Sequence, residues 1–147
     1  MKILVPTDFS ECAVAAQGTA IDLARNFGGE IVLLHGLVET PLFGEGLLSG
    51  PRVQRVYDAQ RKWAEAALEA RTADLQGHGI KGSWRATAGV PFEEIVNIAA
   101  EERADMIVIG THGRTGLNRV LLGSVAERVI RLAPCPVLTV RQPEGSR

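Results

Sequence analysis

Most of the features that mark a familiar enzyme or a nucleic-acid protein are missing from this chain. There is no basic excess: 16 Lys and Arg against 17 Asp and Glu leave a net charge of -1. A general nucleic-acid binder carries a clear positive surplus, so no nucleic-acid partner is expected. No apolar run approaches the length of a membrane span. The opening Met1-Lys2-Ile3-Leu4-Val5-Pro6 turns polar too soon for a secretory leader, so no membrane association is expected either. The two cysteines, Cys12 and Cys135, form no CxxC pair and no disulfide framework. A reducing, cytoplasmic setting follows as the expectation, with both thiols packed as small residues.

Motifs of catalysis and of the common nucleotide folds are absent too. There is no GxGxxG dinucleotide fingerprint, and no lysine follows Lys81, which excludes a GxxxxGK[ST] phosphate loop. No serine occupies a GxSxG elbow. His35, His78 and His112 have no zinc spacing. Asp8, His35 and His112 could converge in space, yet nothing marks a nucleophile with its base.

What is present is an alternation. The 147 residues, 46% apolar and 22% charged, fit one domain spanning 1–147. Lys2–Val5 reads as a strand stopped by Pro6, and Ser10–Phe27 as a helix ended by Gly28-Gly29. Ile31–Leu34 is a second strand. Thr40–Pro51 is a glycine-rich loop that carries Leu42, Phe43, Leu47 and Leu48, a mobile insertion or a partner surface. Val53–Gln76 has helical spacing and ends at Gly77-His78-Gly79. Ser83–Ala88 alternates as a half-buried edge strand, with Trp84, Ala86 and Ala88 on one face. Pro91 opens a third helix, through Ile95, Ile98 and Ala99. Asp105–Ile109 is continuously apolar after its first residue, as a central parallel strand is. Leu121–Leu132 is helical, and Val137–Val140 is the last strand.

The order βαβαβαβαβ predicts an α/β fold with a doubly wound parallel sheet. Ligands bind such sheets beyond the carboxyl ends of the strands, where the winding reverses. Val137–Val140 is apolar on both faces, and a terminal strand is often an edge. Either the C-terminal tail covers it or it pairs with a second copy, and a homodimer through this strand is the expectation.

Three segments follow strands at that end: Pro6-Thr7-Asp8-Phe9-Ser10-Glu11, His35-Gly36, and Gly110-Thr111-His112-Gly113 with Gly123-Ser124 beyond it. Glycines at 110 and 113 allow positive φ and close approach of a ligand to the backbone. A loop of this kind leading into a helix N-terminus offers N–H groups and about half a positive charge to an anion. Ser124 can add a hydroxyl, and Arg114 and Arg119 charge; a glycine turn with solvated arginines reads equally well. Asp8 can accept from a ribose hydroxyl, or cap the first helix with Glu11 three residues on; both hold if Thr7 or Ser10 is the cap.

Gly110-x2-Gly113-x9-Gly123-Ser124 resembles the ATP-binding signature G-2x-G-9x-G-[S/T] of the universal stress proteins. Ile3–Ser10 resembles their opening strand and loop, Gly89-Val90-Pro91 with Glu94-Ile95 the start of their third helix, and Ala133–Leu138 their closing segment. The resemblance covers essentially the whole chain. It implies a Rossmann-like αβα sandwich with a five-stranded parallel sheet, commonly dimerised through its last strand. It also implies ATP, with Mg²⁺ or Mn²⁺ on its phosphates. Pro6, Thr7 and Asp8 would line the adenosine, Asp8 on the ribose, and Gly36 stands where an apolar residue often flanks the base. Gly110, His112, Gly113, Gly123, Ser124 and Val125 would surround ribose and phosphates, with Arg114 beside them.

The expected role is regulatory, in a stress response through a protein partner that the sequence does not name, and not catalytic beyond weak ATP hydrolysis or autophosphorylation. The alternatives are an ATPase or nucleotidyl-transfer enzyme of the adenine nucleotide α-hydrolase-like group, and a dimeric scaffold without nucleotide. Enzymes of that group carry an HIGH or SGGxDS motif after the first strand, where this chain has Pro6-Thr7-Asp8-Phe9-Ser10.

Overall fold

Apolar and amphipathic stretches become strands and helices in strict alternation. The computed structural model describes residues 1–37, 50–112 and 122–142. They form β1 (Lys2–Pro6), α1 (Glu11–Phe27), β2 (Glu30–Leu37), α2 (Pro51–Gly77), β3 (Lys81–Ala88), α3 (Pro91–Glu101), β4 (Met106–Gly110), α4 (Ser124–Leu132) and β5 (Val137–Val140). All but the last two residues of the expected Thr40–Pro51 loop lie outside the described residues, and Pro51 opens α2.

Element boundaries shift where pairing or capping overrides local pattern. β2 extends beyond the expected Ile31–Leu34, through His35 and Gly36, because β3 pairs with it from Glu30↔Lys81 to Leu37↔Ala88. α4 starts at Ser124 rather than Leu121: Gly123 is extended, with φ -60° and ψ 152°, and gives its N–H to the Thr111 carbonyl at 2.8 Å. Ser10 caps α1, its Oγ accepting from Ala13 N–H at 3.2 Å, and Gly28 at φ 67° ends the helix.

The sheet is parallel throughout, in the order β3-β2-β1-β4-β5. Each central strand divides its side chains between two faces with the period of two that a pleated strand dictates. Ile3, Val5, Ile31, Leu33 and Val108 cluster with Ala16 and Ala20 of α1 and Leu68 and Leu75 of α2. Leu4, Val32, Leu34, Ile107 and Ile109 cluster with Ile95 and Ile98 of α3 and Ala126 and Val129 of α4. The chain therefore winds outward from β1 to β3 beneath one helical layer, then returns to β4 and continues to β5 beneath the other. Its direction reverses between β1 and β4. β3 and β5 are the edges, as the alternation of β3 and the terminal place of β5 predict.

An ion-pair network ties the amino end of the sheet. Glu30 receives Lys81 Nζ at 2.8 Å and Lys2 Nζ at 3.3 Å, and Lys2 also reaches Glu102 at 3.2 Å. Arg85 bridges to Glu101 and Glu102 at 3.1 and 3.0 Å. The Lys81 ammonium, helped by Lys2, holds the Glu30 carboxyl below its ordinary 4.5. A carboxyl lowered in the folded state stabilises above its unfolded value, and that contribution is lost as pH falls through the folded one. Unfolding midpoints measured from about pH 6 down to about pH 3 should therefore fall less in Glu30→Gln than in the unaltered chain. The difference is small for solvent-exposed pairs and should shrink further in high salt.

Candidate functional site

The turn after β1 is built from interlocking hydrogen bonds. Thr7 adds one rung to the ladder, its N–H donating to the Leu34 carbonyl at 2.8 Å, and is buried at 6% exposure. Its Oγ1 accepts from Phe9 N–H at 3.0 Å, and Asp8 Oδ1 accepts from Ser10 N–H at 3.0 Å. Asp8 thus makes an Asx turn before the helix, and capping belongs to Ser10 alone. Glu11, expected to close a capping box, instead accepts from Gln142 Nε2.

Gly110, expected to offer a positive φ to a ligand, is not among the positive-φ glycines, which are Gly28, Gly79 and Gly89 in the described residues. It is the last residue of β4, and a Cβ there would meet Cys12 Sγ at 2.9 Å and the Cys12 carbonyl carbon and oxygen at 3.0 Å. Its missing side chain lets the first turn of α1 approach β4. Gly123 has a related task, since a Cβ would come 2.9 Å from the Thr111 carbonyl oxygen. Gly113 and Arg114 lie outside the described residues.

No side chain caps α4, and its first backbone bond runs from Glu127 N–H to the Gly123 carbonyl. The N–H groups of Ser124, Val125 and Ala126 precede that bond, and the helix dipole adds about half a positive charge at this end. These three residues line a cleft of about 360 Å³ at the carboxyl edge of the sheet. All the expected site residues that are described line it: Pro6, Thr7, Asp8, Gly36, Gly110, His112, Gly123, Ser124 and Val125. The space is of the order that small-molecule sites occupy.

Its far wall comes from the β3–α3 connection, through Thr87, Pro91, Glu94 and Ile95, none of which the sequence reading placed at a site. Gly89-Val90-Pro91 was the available signal, because it follows the carboxyl end of a third strand. His35 also lines the cleft. Thr87 Oγ1 and His112 Nε2 are buried without a partner among the described residues, which suits a polar ligand that supplies one. His112 Nδ1 lies 2.9 Å from Thr111 Oγ1, and Thr111 is buried at 4% exposure. A Cβ at Gly36 would meet nothing within 4 Å.

A larger hollow, about 570 Å³, opens at the opposite end of the sheet, around Lys2, Glu30, Lys81 and Glu102. Those four side chains are committed to one another in the ion-pair network, so the smaller cleft is the better candidate.

A doubly wound parallel sheet with a helix N-terminus at its switch-point crevice defines an α/β protein of the Rossmann-like class. The chain belongs to the universal stress protein family, whose model matches residues 1–141. It is 38% identical over 143 residues to a universal stress protein of Methanocaldococcus jannaschii, covering 97% of this chain and 83% of the relative. The universal stress protein UspA of Lactobacillus plantarum superposes with a TM-score of 0.85 at 26% identity, over 96% of this chain and 97% of its own. A universal stress protein of Archaeoglobus fulgidus, solved in complex with dAMP, superposes with a TM-score of 0.66 at 25% identity, over 95% and 97% of the two chains.

Gly110→Ala should cost about 1–3 kcal/mol in urea unfolding, the usual penalty for forcing a methyl into a filled contact. Gly36→Ala, facing open space, should change the unfolding free energy by no more than about 0.5 kcal/mol.

Proposed function

We propose that this protein is an adenine-nucleotide-binding regulator whose ligand is ATP, held in the carboxyl-edge cleft. The observation that carries the reading is the convergence there of four separate strand ends, those of β1, β2, β3 and β4, and the uncapped N-terminus of α4. Asp8 suits a ribose hydroxyl, and the N–H groups of Ser124 and Val125 suit phosphate oxygens. The dAMP complex of the Archaeoglobus fulgidus relative supports an adenine nucleotide as the class of ligand.

Among the described residues no group of three or more His, Cys, Asp or Glu could hold a metal ion. A Mg²⁺ or Mn²⁺ ion would accordingly arrive on the phosphates. The proposed role is binding rather than dedicated catalysis, in the cytoplasm, with nucleotide occupancy changing affinity for a protein partner. Among the described residues no helix is long and apolar enough to cross a membrane.

ATP with Mg²⁺ at about a hundred times its Kd should stabilise the fold by about 2.7 kcal/mol. For a domain of this size that reads as a rise of about 5–10 °C in Tm. Gly36→Phe, whose ring would enter the open space at that position, should fold and lose the rise. No rise with ATP, ADP or AMP in the unaltered chain would overturn the reading.

A homodimer through β5 completes the proposal. β5 is an edge, and Leu138 on it is 37% exposed. Sedimentation velocity should return a dimer, and Leu138→Asp a monomer of unchanged secondary structure.

A further inference from the structure

His35 is bound to the turn that carries Asp8. Its Nδ1 lies 2.8 Å from the Thr7 carbonyl oxygen, and a carbonyl only accepts, so Nδ1 carries the proton and donates. The imidazole also packs on Phe9, ring centroids 4.7 Å apart. Phe9 has φ 63°, a left-handed conformation that bulky residues rarely adopt and that surrounding structure must hold. Trp63, edge-on at 5.1 Å, and the Arg71 guanidinium, 5.4 Å from its ring centroid, also hold it. The Thr7–Ser10 turn is thus fixed at its first residue by the β2 backbone and by His35, and at its third by stacking.

We infer that His35 is a positioning residue: by donating to the Thr7 carbonyl and bracing Phe9, it sets the place from which Asp8 meets a ribose hydroxyl of the bound nucleotide. This rests on the nucleotide reading above. His35 also lines the cleft, so a direct contact with the ligand is the competing role, and the two differ in which ligand atoms feel its loss.

Affinities for ATP and for 2′,3′-dideoxy-ATP, measured by calorimetry with Mg²⁺, separate them. The unaltered chain should prefer ATP by about tenfold or more, the worth of a hydrogen bond to a charged group. His35→Leu should bring that ratio close to one while affinity for the dideoxy ligand stays nearly constant. His35→Asn, whose amide nitrogen can take the place of Nδ1, should keep most of the ratio. Should His35→Leu not fold, His35→Gln takes its place, because the longer side chain carries its donor away from Thr7, and the ratio should again fall. An undiminished ratio in the Leu or Gln variant would overturn the inference. So would equal weakening of both ligands, or loss of the ratio in His35→Asn. Binding of both nucleotides with equal affinity by the unaltered chain would remove the Asp8 step, and the inference with it, and leave nucleotide binding standing. Binding of neither would overturn both.

Discussion

Everything about this molecule follows from the need to cover a parallel sheet on both faces with right-handed crossovers. Parallel neighbours cannot be joined by a tight turn, so each strand is followed by a helix that packs back on the sheet. A helix laid on one face moves the chain in one direction. To reach the other face with the same hand, the chain must return to the middle and go the other way. It does so through α3, which carries it from the β3 edge back to β4, alongside β1. The helices that follow β1 and β4, α1 and α4, pack on opposite faces, and a crevice opens between the two strand ends. The cleft is a consequence of topology before any of its side chains is chosen.

What the side chains add is closeness. Ala16, Ala20 and Ala24 bring α1 down on the sheet, and Gly110 lets the start of the same helix meet the end of β4. The same contact places Cys12 Sγ 3.3 Å from the Val140 carbonyl, so α1, β4 and β5 meet at one point beneath the cleft. Electrostatics there depend on the backbone. Among the described residues, the charged groups on the wall are the carboxylates Asp8 and Glu94, with His35 and His112 beside them. Among the described residues, the groups suited to an anionic ligand are the N–H groups at the helix end, oriented before it arrives.

Which side chains form the wall was only partly readable in advance. Pro6, Thr7, Asp8, Gly36, Gly110 and His112, expected at strand ends, Gly123 and Ser124, expected beyond the fourth, and Val125, implied by the family resemblance, do line the cleft. Thr87 and Glu94 were missed, because their alternation and helical spacing read as ordinary packing. They join the site through the crossover of α3, a contact between segments far apart in sequence. Gly110 was found for the wrong reason: a glycine at a strand end looks like a turn, and the filled space above it becomes visible only when Cys12 is brought there.

The sequence by itself determined the kind and order of the elements. Apolar periodicity and glycine or proline stops are local, and burial on both sides of β4 or one side of β3 is written in consecutive residues. Tertiary structure alone decided the length of β2, the start of α4, and the link from His35 to Thr7. Each of these depends on a hydrogen bond or a contact whose partner lies on another element: β3 for β2, the Thr111 carbonyl for Gly123, and the Thr7 carbonyl for His35. Such partners become neighbours only when the sheet has formed, and no pattern of nearby residues encodes their distance.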